Sequence, residues 1–265
     1  MRSIDLNCDM GESFGAWRMG EDADVMPFVS SANIACGFHA GDPGTMERTV
    51  ALAVHHGVAI GAHPSLPDLA GFGRRRMAIS ANEAHALVIY QVGALSAFAH
   101  AAGTRLHHVK LHGALYNMVY ADRVLADAIA QAIASVDRRL IVYAQSHSVL
   151  VDIAEDMGLY TCSEVFADRR YLADGSLAPR GETGAVISDI DGAVEQGLAL
   201  ARYGNVEALN GSTLQLRAGT LCVHGDKPDA AAFAQSLRVA LDHAGIPVSA
   251  PHAGDSAMQH GAVHA

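Results

Sequence analysis

The chain has 265 residues, 50% of them hydrophobic and 17% charged, with a net charge of −10. That length can bury a sizeable core, and the acidic balance argues against a nucleic-acid partner, which would need clustered Lys and Arg. Four scattered cysteines, Cys8, Cys36, Cys162 and Cys222, form no C-x-x-C pair, which argues against a disulfide framework or a thiolate zinc site and leaves them as small packing residues.

The chain starts "MRSIDLNCDMGE", with no basic segment followed by an apolar run, and no apolar stretch is long enough to span a bilayer. A cytoplasmic protein without a membrane partner is the expectation. The run "SIDLNCD" reads as a first strand and "SANIACGFH" as a second. "DPGTMERTVALAVHHG" reads as a helix, with Asp42 as cap, Pro43 at its first position and Gly57 at its end. A third strand, "VAIGAHP", leads into the Gly/Pro loop "PSLPDLAGFGRRRMAIS". "SANEAHALVIYQVGALSAFAHAAG" opens on a capping box, Ser80 to Glu83, and closes at Gly103. Then come "HHVKLHG", "LIVYAQSH", "YTCSEVFAD" and "TLCVHGD" as strands, with helical patterns between most of them and a last one, "PDAAAFAQSLRVALDHAG". "NVEALNGSTLQLRAG" reads as a small hairpin turning at Asn210 and Gly211.

Repeated strand-then-helix units imply a parallel sheet with helices outside. Seven such units over residues 1–250 fit a single closed or nearly closed (β/α) barrel, with a doubly wound open sheet as the alternative. Residues 251–265 carry no periodicity and are expected to be a disordered tail.

Successive side chains along a strand point to opposite faces. Ile4, Leu6 and Cys8 share one face of the first strand, and Asp5, Asn7 and Asp9 the other. The same alternation puts His39, His63, Lys110, His112, Cys222, His224 and Asp226 on the inward faces of their strands, toward the carboxyl ends where barrels of this class build their sites. Small residues, Ala35, Gly37, Ala59 and Gly61, are expected to leave room beside them. An unpaired buried polar group costs roughly 2–7 kcal/mol, so many at one end imply a wet functional cavity. His55, His56, His85, His100, His107, His108 and His243 are read as structural, and His147 is left open between the two readings. The run Arg74, Arg75, Arg76 is read as a solvated loop cluster, with phosphate binding as the alternative.

The blocks "DLNCDMGES", "SANIACGFHAGDP", "VAIGAHPSLPD", "YQVGAL", "VKLHGALYN", "EVFADRRY", "DGSLAPR" and "LCVHGD", in order over residues 3–249, resemble the signature blocks of the LamB/YcsF family. Departures are Cys8 where the family usually has Ala, Leu111 where it has Pro, and Arg170 where Gly is common. The resemblance implies a distorted (β/α)7 TIM-like barrel, similar to glycoside hydrolases and polysaccharide deacetylases. It implies an ATP-dependent 5-oxoprolinase, opening the lactam of 5-oxo-L-proline to L-glutamate with ATP as co-substrate, Mg2+ accompanying the nucleotide, and subunits B and C as partners. On that basis Lys110 is expected to neutralise phosphate or oxyanion charge, His112 and His224 to act as acid or base, and Asp9 and Asp226 to orient them, activate water or hold Mg2+. His39 and His63 would shape the cavity. Asn7, Glu12, Asp42, Asn117, Glu164, Asp168 and Arg180 would surround the mouth, with Arg180 on the substrate carboxylate. A metal-dependent deacetylase or carbohydrate hydrolase, with Asp9, His39 and His63 as ligands, is one alternative. A non-catalytic subunit that presents substrate is the other.

Overall fold

All seven apolar runs form strands, and the strands close on one another. In the computed structural model, which describes residues 3–225 and 229–252, β1 (Asp5–Met10), β2 (Ser31–Ala35), β3 (Ala59–His63), β4 (His108–Lys110), β5 (Ile141–Gln145) and β6 (Thr161–Phe166) pair in sequence order. The antiparallel hairpin β7 (Asn205–Glu207) and β8 (Thr213–Gln215) stands apart. β9 (Thr220–Val223) then pairs in parallel with both β6 and β1 and completes a closed seven-stranded parallel barrel. The open-sheet alternative is thereby excluded.

The helices lie outside, and their ends follow the local signals. They are α1 (Asp22–Val25), α2 (Pro43–His56), α3 (Ala81–Ala101), α4 (Gly113–Met118), α5 (Arg123–Val136), α6 (Val149–Asp156), α7 (Ile190–Tyr203) and α8 (Ala230–His243). The Asp42 carboxylate accepts from Thr45 N at the start of α2, and Gly57 ends that helix at φ 66°. Ser80 and Glu83 complete the capping box of α3. The short α4 was not legible as a helix, because it begins directly from the strand block "VKLHG". Over its 21 residues α3 is long and apolar enough to cross a membrane by composition alone, which qualifies the expectation that no stretch is. It packs against α5 and β3, and its Gln91 is fully buried, accepting from Ser65 N (2.9 Å) and donating to Ser65 O (2.8 Å). Those contacts make it a wall of the barrel shell.

The barrel interior is polar in layers. At the amino ends of the strands the Asp5 carboxylate accepts from Ser30 (2.5 Å), Ser31 (2.8 Å) and Thr220 (2.6 Å). Above it, the His108 ring stacks on Tyr143 at 4.1 Å and donates from Nε2 to Asn33 Oδ1 (2.8 Å). The space left by Gly61 is taken up by this ring: a Cβ at Gly61 would run into the His108 imidazole. Gly61 therefore makes room for packing rather than for a cavity. Gly61→Ala is expected to lower stability by about 1–3 kcal/mol or more through overpacking, read as a fall in urea midpoint, with partial recovery when His108→Ala is added.

Burial holds the His108 imidazole well below its ordinary value, with the positive neighbours His107 and Lys110 adding to the effect. The folded barrel thus refuses a proton that the unfolded chain accepts below about pH 6.5. Its contribution is fully present above that pH and is lost as pH falls toward the depressed folded value, at up to about 1.4 kcal/mol per pH unit. Denaturation midpoints measured from pH 7.5 to 5 should fall, and His108→Asn should flatten the slope.

Candidate active site

At the carboxyl ends of the strands the inward faces supply one ammonium and two carboxylates within bonding distance. Lys110 Nζ lies 2.9 Å from Asp9 Oδ1 and 2.8 Å from Glu164 Oε1, with Asn7 Oδ1 at 3.0 Å and Cys222 Sγ at 3.2 Å. Burial works against the Lys110 charge, but Asp9 and Glu164 outweigh it and hold the ammonium well above its usual range. Burial would raise the Asp9 carboxyl, yet His63 and Lys110 outweigh it and hold Asp9 well below the usual carboxylate range. Glu164 is saturated: Oε1 also accepts from Asn7 Nδ2 (2.9 Å) and Oε2 accepts from Tyr116 OH (2.6 Å). Asn33 Nδ2 donates to Asn7 Oδ1 (2.7 Å) and Asp9 Oδ1 (2.9 Å), locking the floor.

Above this floor opens a cleft of about 600 Å³. Its walls carry Arg74, Arg169 and Arg180 with Lys110, against Asp9 as the one carboxylate among its described residues. A positive cleft in a chain of net charge −10 is built for an anion. Burial, with Arg180 nearby, brings the Arg169 guanidinium down to about 10, and Arg169 donates to Ala178 O (2.6 Å). On one wall the His224 ring lies over Phe166 (5.9 Å, 20° between planes), and its Nδ1 donates to both oxygens of Asp168 at 3.1 Å. A carboxylate on Nδ1 fixes the tautomer and turns Nε2 toward the cleft.

A second group lies beside the cleft, where Glu12, His39, His63 and His112 are buried with their donor atoms within 4.8 Å of one another. His39 stacks on His112 at 3.8 Å. His112 donates from Nε2 to Phe72 O (2.9 Å), a carbonyl positioned by the left-handed backbone of Phe72 (φ 54°). Burial pushes the His112 imidazole down to about 3.

The structure thus gathers Asp9, Lys110, His112, His224, His63, Asn117 and Arg180 around the cleft, but corrects several expectations. Asn7 and Glu164 are not at the mouth: both sit within strands, fully buried, spent on the Lys110 network. Asp42 is outside the cleft lining, where its oxygens cap α2 and accept from Gly15 N (2.7 Å). Asp168, expected only as a mouth residue, is the partner of His224. His39 reaches the site from a loop, since β2 ends at Ala35 and the chain turns through Gly37 at φ 94°. His112 meets Phe72 O with Nε2 and faces His63 Nε2 with Nδ1, at 2.9 Å each. Asp226 lies outside the described residues, as does the tail from 253 on. His147 is exposed, at φ 66°, outside the cleft lining. Arg75 pairs with Asp68 as a loop residue, and Arg74, exposed as a loop charge is expected to be, also lines the cleft, with its guanidinium over Phe72 at 4.8 Å. Tyr116 and Arg169 are not among the residues expected from sequence; the short helix α4 brings in the first and a loop after β6 the second.

The LamB/YcsF family's sequence model matches residues 4–256. This chain belongs to that family. Among LamB/YcsF relatives, the 5-oxoprolinase A-subunit of Bordetella pertussis is 58% identical over 248 residues, covering 94% of this chain and 98% of that protein. The protein of the same name from Bacillus subtilis is 54% identical, covering 94% and 97%. The crystal structure of a lactam utilization protein from Thermus thermophilus matches with a TM-score of 0.89 at 48% identity, covering 94% of this chain and 100% of that one. A family 4 carbohydrate esterase from Streptomyces lividans shares the fold alone, with a TM-score of 0.51 at 11% identity, covering 96% of this chain and 95% of that one.

Proposed function

We propose that this chain is the A-subunit of an ATP-dependent 5-oxoprolinase that opens 5-oxo-L-proline to L-glutamate. The observation that carries the reading is the cleft itself. Four cations face one carboxylate, above a buried Lys110–Asp9–Glu164 network and beside an imidazole oriented by Asp168. Relatives at 54–58% identity that bear the name of the 5-oxoprolinase A-subunit support it.

A lactam is a poor electrophile, because its nitrogen lone pair is delocalised into the carbonyl. The free amine of glutamate can also re-close on its own carboxyl group. Transfer of the terminal phosphoryl group of ATP to the lactam oxygen, with ADP leaving, makes the ring carbon electrophilic. Water then adds to that carbon and loses a proton, the C–N bond breaks with the proton going to nitrogen, and γ-glutamyl phosphate results. A second water releases phosphate. Arg180 and Arg169 hold the substrate carboxylate or phosphoryl oxygens through planar donor forks. Lys110 offsets the charge that develops on oxygen. His224, through Nε2, takes the proton of the attacking water, and Asp168 keeps its tautomer and stabilises the imidazolium.

Magnesium prefers a shell of oxygen ligands. Asp9, the one carboxylate among the described cleft residues, is already bonded to Asn33 and Lys110 and lies 3.3 Å from His63. A dedicated magnesium site does not fit these residues, so in this reading the ion arrives with the nucleotide. Subunits B and C complete the enzyme, and the cytoplasm is its location in the same reading. Glutamate release from 5-oxo-L-proline and ATP, assayed with the three subunits separately and then combined, is expected only from the combination. Unchanged release when this chain is omitted would overturn the reading.

A further inference from the structure

The loops after β1 and β2, the end of β3 and the turn after β4 bring Glu12, His39, His63 and His112 together. Among the described residues this is the one place where such side chains converge in number, and all four are buried. The hydrogen bonds define their tautomers. A backbone carbonyl can only accept, so Lys110 O takes the proton on His63 Nδ1 (2.8 Å) and Phe72 O takes the proton on His112 Nε2 (2.9 Å). The remaining nitrogens, His63 Nε2 and His112 Nδ1, face each other at 2.9 Å. Asp9 Oδ2 also lies 3.3 Å from His63 Nε2, so the pair needs a positive charge here, either a proton on that nitrogen or a metal ion shared by the two lone pairs. Neither nitrogen of the fully buried His39 has a hydrogen-bond partner, and its Nε2 lies 3.7 Å from Glu12 Oε1. Glu12 Oε1 is also 3.8 Å from His112 Nδ1.

We propose that Glu12, His39, His63 and His112 bind one divalent transition-metal ion of the zinc class at the carboxyl ends of the strands. Three imidazoles and one carboxylate make a four-position donor set that suits zinc and its late-transition neighbours, and that magnesium or calcium would not select. Metal-bound histidines typically donate their second N–H to a carbonyl or carboxylate, which orients the ring. His63 and His112 already do so. Burial pushes His112 to about 3 and also lowers His39, which keeps both rings in the neutral form that ligates.

The surrounding loop is shaped to the trio. Phe72 adopts a left-handed conformation that aims its carbonyl at His112, and a Cβ at Gly73 would press on Ser65, His39 and His112. Backbone strain at a non-glycine residue costs on the order of 1–3 kcal/mol and persists where the surroundings enforce it. The pair His107 and His108 at the other end of the barrel also has facing nitrogens (3.0 Å), but the half-exposed His107 can take a proton from solvent. Among the described residues that pair has no third histidine or carboxylate converging on it, as His39 and Glu12 do on His63 and His112.

The test uses tag-free, full-length protein. Elemental analysis after purification is expected to give about one zinc-class ion per chain. Chelator-stripped protein titrated with Co2+ should show the intense visible d–d bands of a four-coordinate nitrogen-rich site. His39→Gln, whose side chain does not line the cleft, should weaken Zn2+ binding at least tenfold in isothermal titration, and Glu12→Gln should alter the cobalt spectrum. A double His55→Gln/His56→Gln control, on an exposed helix end, should keep full occupancy. Circular dichroism shows which variants are folded. Wild-type protein that takes up neither Zn2+ nor Co2+ stoichiometrically would overturn the proposal, as would folded His39→Gln or Glu12→Gln binding the ion unchanged. These readouts require neither substrate nor partner subunits, so they stand apart from the 5-oxoprolinase assay.

Discussion

Lys110→Met is expected to abolish turnover and to destabilise the barrel together. The substitution leaves Asp9 and Glu164 buried without their shared cation, at 2.9 Å and 2.8 Å from where it stood. Removing one partner of a buried ion pair costs about 3–5 kcal/mol, enough to consume much of a typical domain's stability. Loss of one preorganised charge at a developing oxyanion lowers the rate by about 10²–10³-fold. The two effects separate in a double variant. Lys110→Met/Glu164→Gln removes one stranded carboxylate, so its thermal midpoint should recover toward wild type while glutamate release stays low. A double variant with restored activity would remove Lys110 from the chemistry. Wild-type stability in Lys110→Met would contradict the burial of the network.

His224→Gln is expected to do the reverse, with the fold intact and the chemistry lost. The side chain stacks on Phe166 at the cleft wall, and Asp168 is its hydrogen-bond partner among the described residues. Glutamine retains a donor for that carboxylate but cannot shuttle a proton. General acid–base catalysis contributes about 10²–10⁴-fold, so kcat should fall by that factor with little change in KM and an unchanged urea midpoint. Asp168→Asn should lower kcat in the same direction and shift the pH–rate profile, because the imidazolium loses its counter-charge. Equal kcat in wild type and His224→Gln, assayed with the partner subunits present, would rule out this base.

Strand parity carried much of this architecture. Asp5, Asn7 and Asp9 do face inward together, as do Lys110 of β4 and Cys222 of β9, because each opposite face must be apolar to meet the helices. Parity tells direction and not depth. Glu164 and Asn7 therefore read as mouth residues when they lie in the floor, where they are spent on Lys110. His108 shares its face with Lys110 but sits a layer deeper, packed on Tyr143 and into the space beside Gly61. His39 was placed correctly for a reason that does not hold, since a glycine turn rather than a continued strand carries it there. Tyr116 follows the unread helix α4, and Arg169 and Arg74 come from loops, where alternation has no meaning.

Closure by β9 has a consequence for synthesis. The last stave of the barrel comes only at Thr220–Val223, after the β7–β8 hairpin, and it mates with β1 and β6 at once. While a ribosome is still adding residues ahead of it, a nascent chain bears two raw sheet edges, and Asp5 lacks the threonine hydroxyl that Thr220 later brings. Such a chain is a natural client for chaperones, and any stop codon upstream of residue 220 should yield insoluble fragments rather than a smaller working protein.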